Sequence, residues 1–277
     1  MTINGRTQVA GVAGSPIHHS LSPVLMNAWL TADSRNAVYV PLEIYPDRAM
    51  SAFRALPALG LLGVNVTAPL KTLALDAADD ASAAARSIGA ANLLLMREGK
   101  LYADNTDALG LLTACREHQL ALNRGPVLVL GAGGAARAVV YALARSGIAD
   151  IRISNRDPER AKSVAADLAP SAAIITWNDH KVAARDAGVI INTARAHDGD
   201  EQLIDWAGLM THPHAIDINY GASRGRFLDG ARAKGLQTLD GLAMLIGQAR
   251  PSYQALFGHA PPTSVDAEDL LRKVLIS

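Results

Sequence analysis

Four consecutive apolar residues, Val127-Leu-Val-Leu130, run directly into Gly131-Ala132-Gly133-Gly134-Ala135-Ala136, and a helical pattern continues to about Ser146. A short apolar run bounded by glycine reads as a strand buried on both faces, the kind that parallel sheets contain. The turn matches G-x-G-x-x-G/A through Gly131, Gly133 and Ala136. In that pattern the first glycine makes a tight turn, the second lets a pyrophosphate approach the backbone, and the small third residue lets helix pack on strand. The exposed amides and positive dipole of the helix N-terminus then bind the phosphates. A second strand, Asp150-Ile-Arg-Ile-Ser154, completes a βαβ unit of about thirty residues. The stretch therefore predicts a dinucleotide site in which Gly131, Ala132, Gly133, Gly134 and Ala135 line the phosphates.

Further strands at Ala173–Thr176, Val189–Asn192, Ala215–Ile218 and Leu236–Leu239, with helices such as Pro158–Leu168 between them, predict a Rossmann-type doubly wound parallel sheet. The first hundred residues carry a separate rhythm. Strands are expected at Gln8–Val12, Ala37–Ile44, Gly63–Val66 and Ala91–Met96, and helices at about 47–56, 70–76 and 80–87. Ser22 should cap a helix that Pro23 opens, since Pro suits the first helical position. This is an α/β unit. With 277 residues there is room for two such units. The boundary falls in or just before a helix near Asp107–Gln119, so residues 1–106 form one unit and 107–240 the dinucleotide-binding unit. Two closing helices, at about Leu242–Phe257 and Asp266–Ile276, are expected to return to the first unit, so that 241–277 complete it. Pro251 should kink or end the first of them.

The cofactor type depends on the residues just past the second strand. NAD sites usually place an acidic residue there to hold the ribose hydroxyls. Here Asn155 occupies that position, with Arg156 and Arg160 after it, two cations suited to the 2′-phosphate of NADP. NADP is favoured. Asp157 between them keeps NAD open, because it would repel that phosphate or bind an NAD ribose.

Lys plus Arg and Asp plus Glu both number 26, so no charge excess exists to hold nucleic acid or an acidic membrane face. No apolar run approaches the ~20 residues a membrane span needs, and the opening Met1–Gln8 lacks the basic start and apolar core of a secretory signal. The single Cys115 excludes an internal disulfide and fits a reducing, cytoplasmic setting. His18 and His19 are adjacent in an irregular loop without further ligands nearby, so no metal site is expected.

Composition and spacing stop at a dinucleotide-dependent protein. Specific motifs go further. Gly14-Ser-Pro-Ile-His-His-Ser-Leu-Ser-Pro-Val-Leu-Met-Asn27, Asn65-Val-Thr-Ala-Pro-Leu-Lys71, Gly89-Ala-Ala-Asn92, Asp104-Asn-Thr-Asp107 and Asp240-Gly-Leu-Ala-Met-Leu-Ile-Gly-Gln248 occur in this order. Together with the glycine turn and Asn155-Arg156 they resemble the shikimate dehydrogenase family across nearly the whole chain. The resemblance implies reversible hydride transfer between a nicotinamide and a ring carbon, interconverting shikimate and 3-dehydroshikimate. It implies that Ser20 and Ser22 bind the substrate carboxylate, and that Asn65, Thr67, Asn92 and Gln248 hold its hydroxyls. Tyr220 would reach it from the cofactor unit. Lys71 would transfer the proton or stabilise charge on the reacting oxygen, with Asp107 as its orienting partner. It also extends the cofactor contacts to Thr193, Ala194, Ile218 and Gly241. The assembly expected is a monomer or homodimer whose partner is a small shikimate-like acid.

Three positions depart from the family's commoner pattern: Met26 where His is frequent, Asp157 where Thr or Ser is common, and Arg195 in Asn192-Thr-Ala-Arg-Ala196, where Asn-x-Thr or Ser followed by Gly-Met is usual. These leave open an NAD-dependent paralogue acting weakly on shikimate, or on quinate or an amino-analogue. A nucleotide sensor with a dead site and a methylene-tetrahydrofolate dehydrogenase would share the two-domain plan. Retention of Lys71 and Asp107 argues against the sensor, and the Ser-Leu-Ser-Pro opening against the folate enzyme.

Overall fold

The computed structural model describes residues 2–194, 203–221 and 226–276. The chain divides into two compact units, Met1–Asp107 with Leu245–Ser277, and Ala108–Met244.

In the first unit the order is β1 (Gln8–Gly14), α1 (Ser22–Ala32), β2 (Ala37–Glu43), α2 (Ala49–Ala55), β3 (Gly63–Val66), α3 (Lys71–Ala77), β4 (Asp80–Ala81), α4 (Ala83–Ile88), β5 (Leu93–Arg97) and β6 (Lys100–Asp104). They form a six-stranded sheet of order β2-β1-β3-β5-β6-β4. β1 runs parallel to β2 and β3, whereas β5 runs antiparallel to β3 and β6. The β5–β6 hairpin is absent from the sequence expectation. It turns on Glu98 and Gly99, both at positive φ (52° and 76°). That is the backbone of a tight two-residue hairpin turn, but Asn or Asp normally marks its first position and Glu conceals it. Phe53, Leu56, Val64, Val66, Leu70, Leu94 and Leu101 pack into this unit's core.

The Ser22 cap is not found. Leu21 occupies the cap position without a side-chain hydrogen bond, so Ser22 and Pro23 both lie inside the first turn of α1. The Ser22 amide instead donates to Ser20 Oγ at 3.4 Å, which moves the capping role two residues upstream.

After α5 (Asp107–Glu117) come β7 (Val127–Leu130), α6 (Gly134–Arg145), β8 (Ile151–Ser154), α7 (Pro158–Leu168), β9 (Ala173–Ile175), α8 (His180–Ala183), β10 (Val189–Asn192), β11 (His214–Asp217), α9 (Phe227–Ala233) and β12 (Thr238–Leu239). The second sheet has the order β12-β11-β10-β7-β8-β9, and every pairing is parallel. Numbered from β7 this is 3-2-1-4-5-6, the dinucleotide-binding order, whose switch point lies between β7 and β10. All four residues of both β7 and β10 are buried, as strands covered on two faces must be.

The chain closes with α10 (Gly241–Phe257) and α11 (Ala267–Ile276). From Leu245 onward it belongs to the first unit, where α11 packs against α1. A Cβ on Gly63 would sit 2.4 Å from Leu256 Cδ2, so glycine there is what lets α10 lie close on β3. Pro251 does not end this helix, which runs unbroken to Phe257. No helix among the described residues is long and apolar enough to cross a membrane.

His214 opens β11 almost fully buried, and its Nδ1 has no hydrogen-bond partner. Burial holds its pKa below the ordinary 6.5; Arg124 adds to this, and the Ala121 backbone opposes it. The native state therefore keeps His214 neutral, while the unfolded chain takes up a proton near 6.5. The associated stability is fully present above that pH and is lost as pH falls through the depressed native value. Melting temperature is expected to fall between about pH 7.5 and about pH 5.5 more steeply in the wild type than in His214→Gln. Equal slopes in the two proteins would contradict this.

Candidate active site

Lys71 opens α3 just beyond β3, and Asp107 opens α5 just beyond β6, so two strands of one sheet, with β5 between them, deliver the pair to one place. Lys71 Nζ lies 2.5 Å from Asp107 Oδ2, with the two side chains 12% and 6% exposed. Burying such a pair is costly unless each charge has further partners. Asp107 has one: Asn92 Nδ2 donates to its Oδ1 at 2.8 Å. Asp107 itself does not cap α5. Its amide donates to Asn105 Oδ1 at 3.0 Å, and Asn105 Nδ2 donates to the Ala90 carbonyl at 2.8 Å. Asn105 thus takes over the helix start and leaves the Asp107 carboxylate to Lys71. An ammonium held against a carboxylate in a mostly dry setting is suited to moving a proton or stabilising a developing oxyanion.

A buried polar network extends from this pair. Asn92 Nδ2 also donates to Thr106 Oγ1 at 2.9 Å and lies 3.3 Å from Gln248 Oε1, while its own Oδ1 accepts from the Thr106 amide at 2.8 Å. Gln248 Nε2 donates to the Leu245 carbonyl at 3.0 Å. Asn65 Nδ2 donates to the Asn92 carbonyl at 3.1 Å and to Ser252 Oγ at 3.0 Å, and its Oδ1 accepts from Tyr39 at 2.8 Å. Ser252 Oγ donates in turn to the Gln248 carbonyl at 3.0 Å. Lys71, Asp107, Asn92, Asn65 and Gln248 are thus brought together within the first unit. Tyr39, Asn105, Thr106 and Ser252 join them without having been singled out from sequence. Asn105 and Thr106 stand inside the Asp104–Asp107 motif. Tyr39 and Ser252 gave no signal, because Ser252 meets Asn65 across 187 residues of chain.

Ser20 is half-buried and Ser22 is buried in the loop and turn leading into α1. That loop is anchored by Glu43, which accepts from the Ile17 amide at 2.8 Å. Its carboxyl is held below the usual range, first by the Ser15 hydroxyl, then by the Ile17 amide, with His18 and His19 adding to them. Thr67 lies just past β3, its amide donating to the Ala13 carbonyl at 2.8 Å. Tyr220 is half-buried beyond β11 in the second unit. His18 and His19 meet edge to face, and no group of three or more His, Cys, Asp or Glu suited to a metal occurs among the described residues.

In the second unit Gly131–Ala135 follow β7 and Thr193–Ala194 follow β10, on the two sides of the switch point where open parallel sheets bind ligands, while Asn155–Arg160 follow β8 and Ile218 follows β11. Gly131 has φ +109°, and a Cβ there would lie 2.4 Å from Thr193 Oγ1. Thr193 Oγ1 in turn donates to the Leu130 carbonyl at 2.7 Å. Gly133 caps α6 in extended backbone that any residue could adopt, with no side-chain cap and no acidic residue in the first turn. A Cβ on Gly133 would meet nothing within 4 Å. The fold thus leaves open space beside uncapped helix amides, which fits a dinucleotide's phosphates. On the far side of the switch point, a Cβ on Gly241 would lie 2.4 Å from the Ile218 carbonyl oxygen, so these two meet backbone to backbone.

Asn155 Nδ2 donates to the Asp157 carbonyl at 2.9 Å. Asp157 caps α7, accepting from the Glu159 amide at 3.0 Å, and pairs with Arg160 at 3.4 Å. Both members of that pair are well exposed, so it is weak. The Arg156 guanidinium lies 5.3 Å from the centre of the Trp177 ring, an aromatic neighbour the sequence reading missed. Arg195 lies outside the described residues. Gly133→Ala is expected to leave the melting temperature unchanged and to weaken dinucleotide binding by about tenfold or more, because the added methyl enters only the open space beside the α6 amides. Titration of both proteins with a nicotinamide dinucleotide checks this; equal affinities would remove the turn from the binding site.

A parallel 3-2-1-4-5-6 sheet with an open glycine turn, joined to a unit that buries a lysine–carboxylate pair, is the plan of a dinucleotide-dependent oxidoreductase. Residues 12–94 match the family described as shikimate dehydrogenase substrate binding domain, and residues 114–201 the one described as shikimate / quinate 5-dehydrogenase. The chain is 42% identical to the shikimate dehydrogenase (NADP(+)) of Maricaulis maris, with 98% of each chain aligned. It is 40% identical to that of Rhodospirillum rubrum, over 99% of each. The crystal structure of shikimate dehydrogenase from Aquifex aeolicus superposes with a TM-score of 0.87 at 35% identity, covering 98% of this chain and 100% of that one. Shikimate 5-dehydrogenase from Thermus thermophilus, solved with NADP(H) and shikimate, gives 0.83 at 32% identity, covering 96% and 99%. The chain belongs to the shikimate dehydrogenase family.

Proposed function

We propose that this protein catalyses the reversible NADP-dependent reduction of 3-dehydroshikimate to shikimate. The observation that carries the reading is the buried Lys71–Asp107 pair held by Asn92, within a chain whose relatives carry that activity in their names over its full length.

When bound, the nicotinamide supplies or accepts the hydride. Lys71 Nζ gives a proton to the substrate oxygen in reduction and takes it back in oxidation, while Asp107 aims the ammonium and offsets its charge. Asn92 fixes the Asp107 carboxylate and, with Gln248 and Thr67, lines the place of the substrate hydroxyls. Ser20 and Ser22 offer neutral donors to the substrate carboxylate. Asn65 has both amide hydrogens committed, to Asn92 and Ser252, so only a lone pair on its Oδ1 is left for substrate. Its principal work is to hold Asn92 and α10 in place.

Gly131 through Ala135 and the N-terminus of α6 hold the pyrophosphate, and Thr193, Ala194, Ile218 and Gly241 line the remainder of the cofactor groove. Asn155, Arg156 and Arg160 face the adenosine end, where Arg156 and Arg160 meet a 2′-phosphate. Asp157 tempers that preference by pairing with Arg160. The Cys115 thiol is buried, which pushes its pKa up to about 12 and keeps it inert.

The test is kcat/KM for shikimate and for quinate, each with NADP and with NAD, on wild type and on Asp157→Ser. Shikimate with NADP is expected to be the most efficient pair. Serine keeps the α7 cap but releases Arg160, so the NADP-to-NAD ratio should rise several-fold, about threefold or more, in the variant. Efficient turnover of quinate, or of shikimate with NAD in preference to NADP, would replace this reading with that of a specialised paralogue.

A further inference from the structure

Asp217 ends β11 with no solvent exposure, and a carboxylate so placed needs strong compensation. Its Oδ1 accepts from Asn192 Nδ2 at 3.2 Å, from the Asn219 amide at 3.0 Å and from Asn219 Nδ2 at 2.8 Å. Asn192 is its register partner across the β10–β11 pairing. Both asparagines also bond to one further residue. Asn192 Oδ1 accepts from the Ala194 amide at 3.1 Å, and Asn219 Nδ2 donates to the Ala194 carbonyl at 2.8 Å. Ala194 is thereby fixed at both backbone groups by side chains that Asp217 orients. Beside it, Thr193 is tied to the Leu130 carbonyl and packs on Gly131, the first glycine of the turn.

We infer that Asp217 is a positioning residue for the cofactor: through Asn192 and Asn219 it sets the Thr193–Ala194 backbone at the mouth of the β7/β10 crevice. It touches no ligand itself. This rests on the proposed dinucleotide dependence. A carboxylate serves here because one charged oxygen accepts from three N–H groups at once, and hydrogen bonds to a charged acceptor are the stronger kind. Loss of that orientation frees both asparagines and with them the Ala194 peptide, while the substrate-holding network of the first unit is untouched.

The experiment measures NADPH affinity by nicotinamide fluorescence, the KM for shikimate and thermal unfolding in wild type, Asp217→Asn, Asn219→Ala and the double variant. NADPH affinity is expected to fall about tenfold in each single variant, with shikimate KM within about twofold of wild type. The double variant should be little worse than Asp217→Asn alone, since the two residues act in series. If Asp217→Asn does not fold, Asn219→Ala carries the test with the same expectation. Unchanged NADPH affinity in a folded variant, or an equal loss for NADPH and shikimate, would overturn the inference. Wild type that binds neither NADPH nor NADH would overturn the dinucleotide reading itself, and the inference with it.

Discussion

Two opposite charges, Lys71 and Asp107, are held 2.5 Å apart in a region that excludes most water, and the first unit is arranged around the cost of keeping them there. A buried ion pair is stable only where each group finds hydrogen bonds to replace its hydration. Three separate elements place the pair and hold its carboxylate. β3 and the loop after it bring Lys71 to the start of α3, Asn105 takes the first amide of α5 so that Asp107 is spared, and Asn92 at the start of β5 donates to the free carboxylate oxygen. Asn92 is itself held by Thr106 and by the Asn65–Ser252 link to α10. The last helix but one is therefore part of the site's frame, and the chain must return to the first unit after Met244 to supply it.

The second unit solves a different problem, opening α6 on a glycine with no side-chain cap and no acidic residue in its first turn. Gly131 turns sharply against Thr193, and Gly133 leaves an open space before α6. Gly131 is required by its left-handed backbone and by the closeness of Thr193, whereas at Gly133 the surrounding structure would tolerate a side chain.

Much of this was legible in the sequence because it is local. The β7-turn-α6 stretch is a contiguous pattern, and Pro158–Leu168 announces its own start through Asp157 and Pro158. The four-residue apolar runs at β7 and β10 declared a parallel sheet. Other features depend on contacts that spacing does not encode. Glu98-Gly99 hid a hairpin because Glu tolerates a left-handed backbone only when the strands around it insist. Ser22 looked like a cap and Pro251 like a break, yet tertiary packing placed the one inside its helix and let the other continue. In the site, the Lys71 and Asp107 positions came from motif resemblance, while Tyr39 and Ser252 came only from folding, being distant in sequence and ordinary in type. At the start of α5 the capping belongs to Asn105, two residues before Asp107.

Lys71 acts, on this reading, on the reacting oxygen and does not merely complete an ion pair. The most direct test compares kcat and KM for shikimate oxidation in wild type and in a folded Lys71→Ala protein. If the lysine serves the transition state, kcat falls by about a hundredfold or more while KM changes by less than about threefold. A kcat within about twofold of wild type would show that the pair is a structural element and that the proton moves elsewhere.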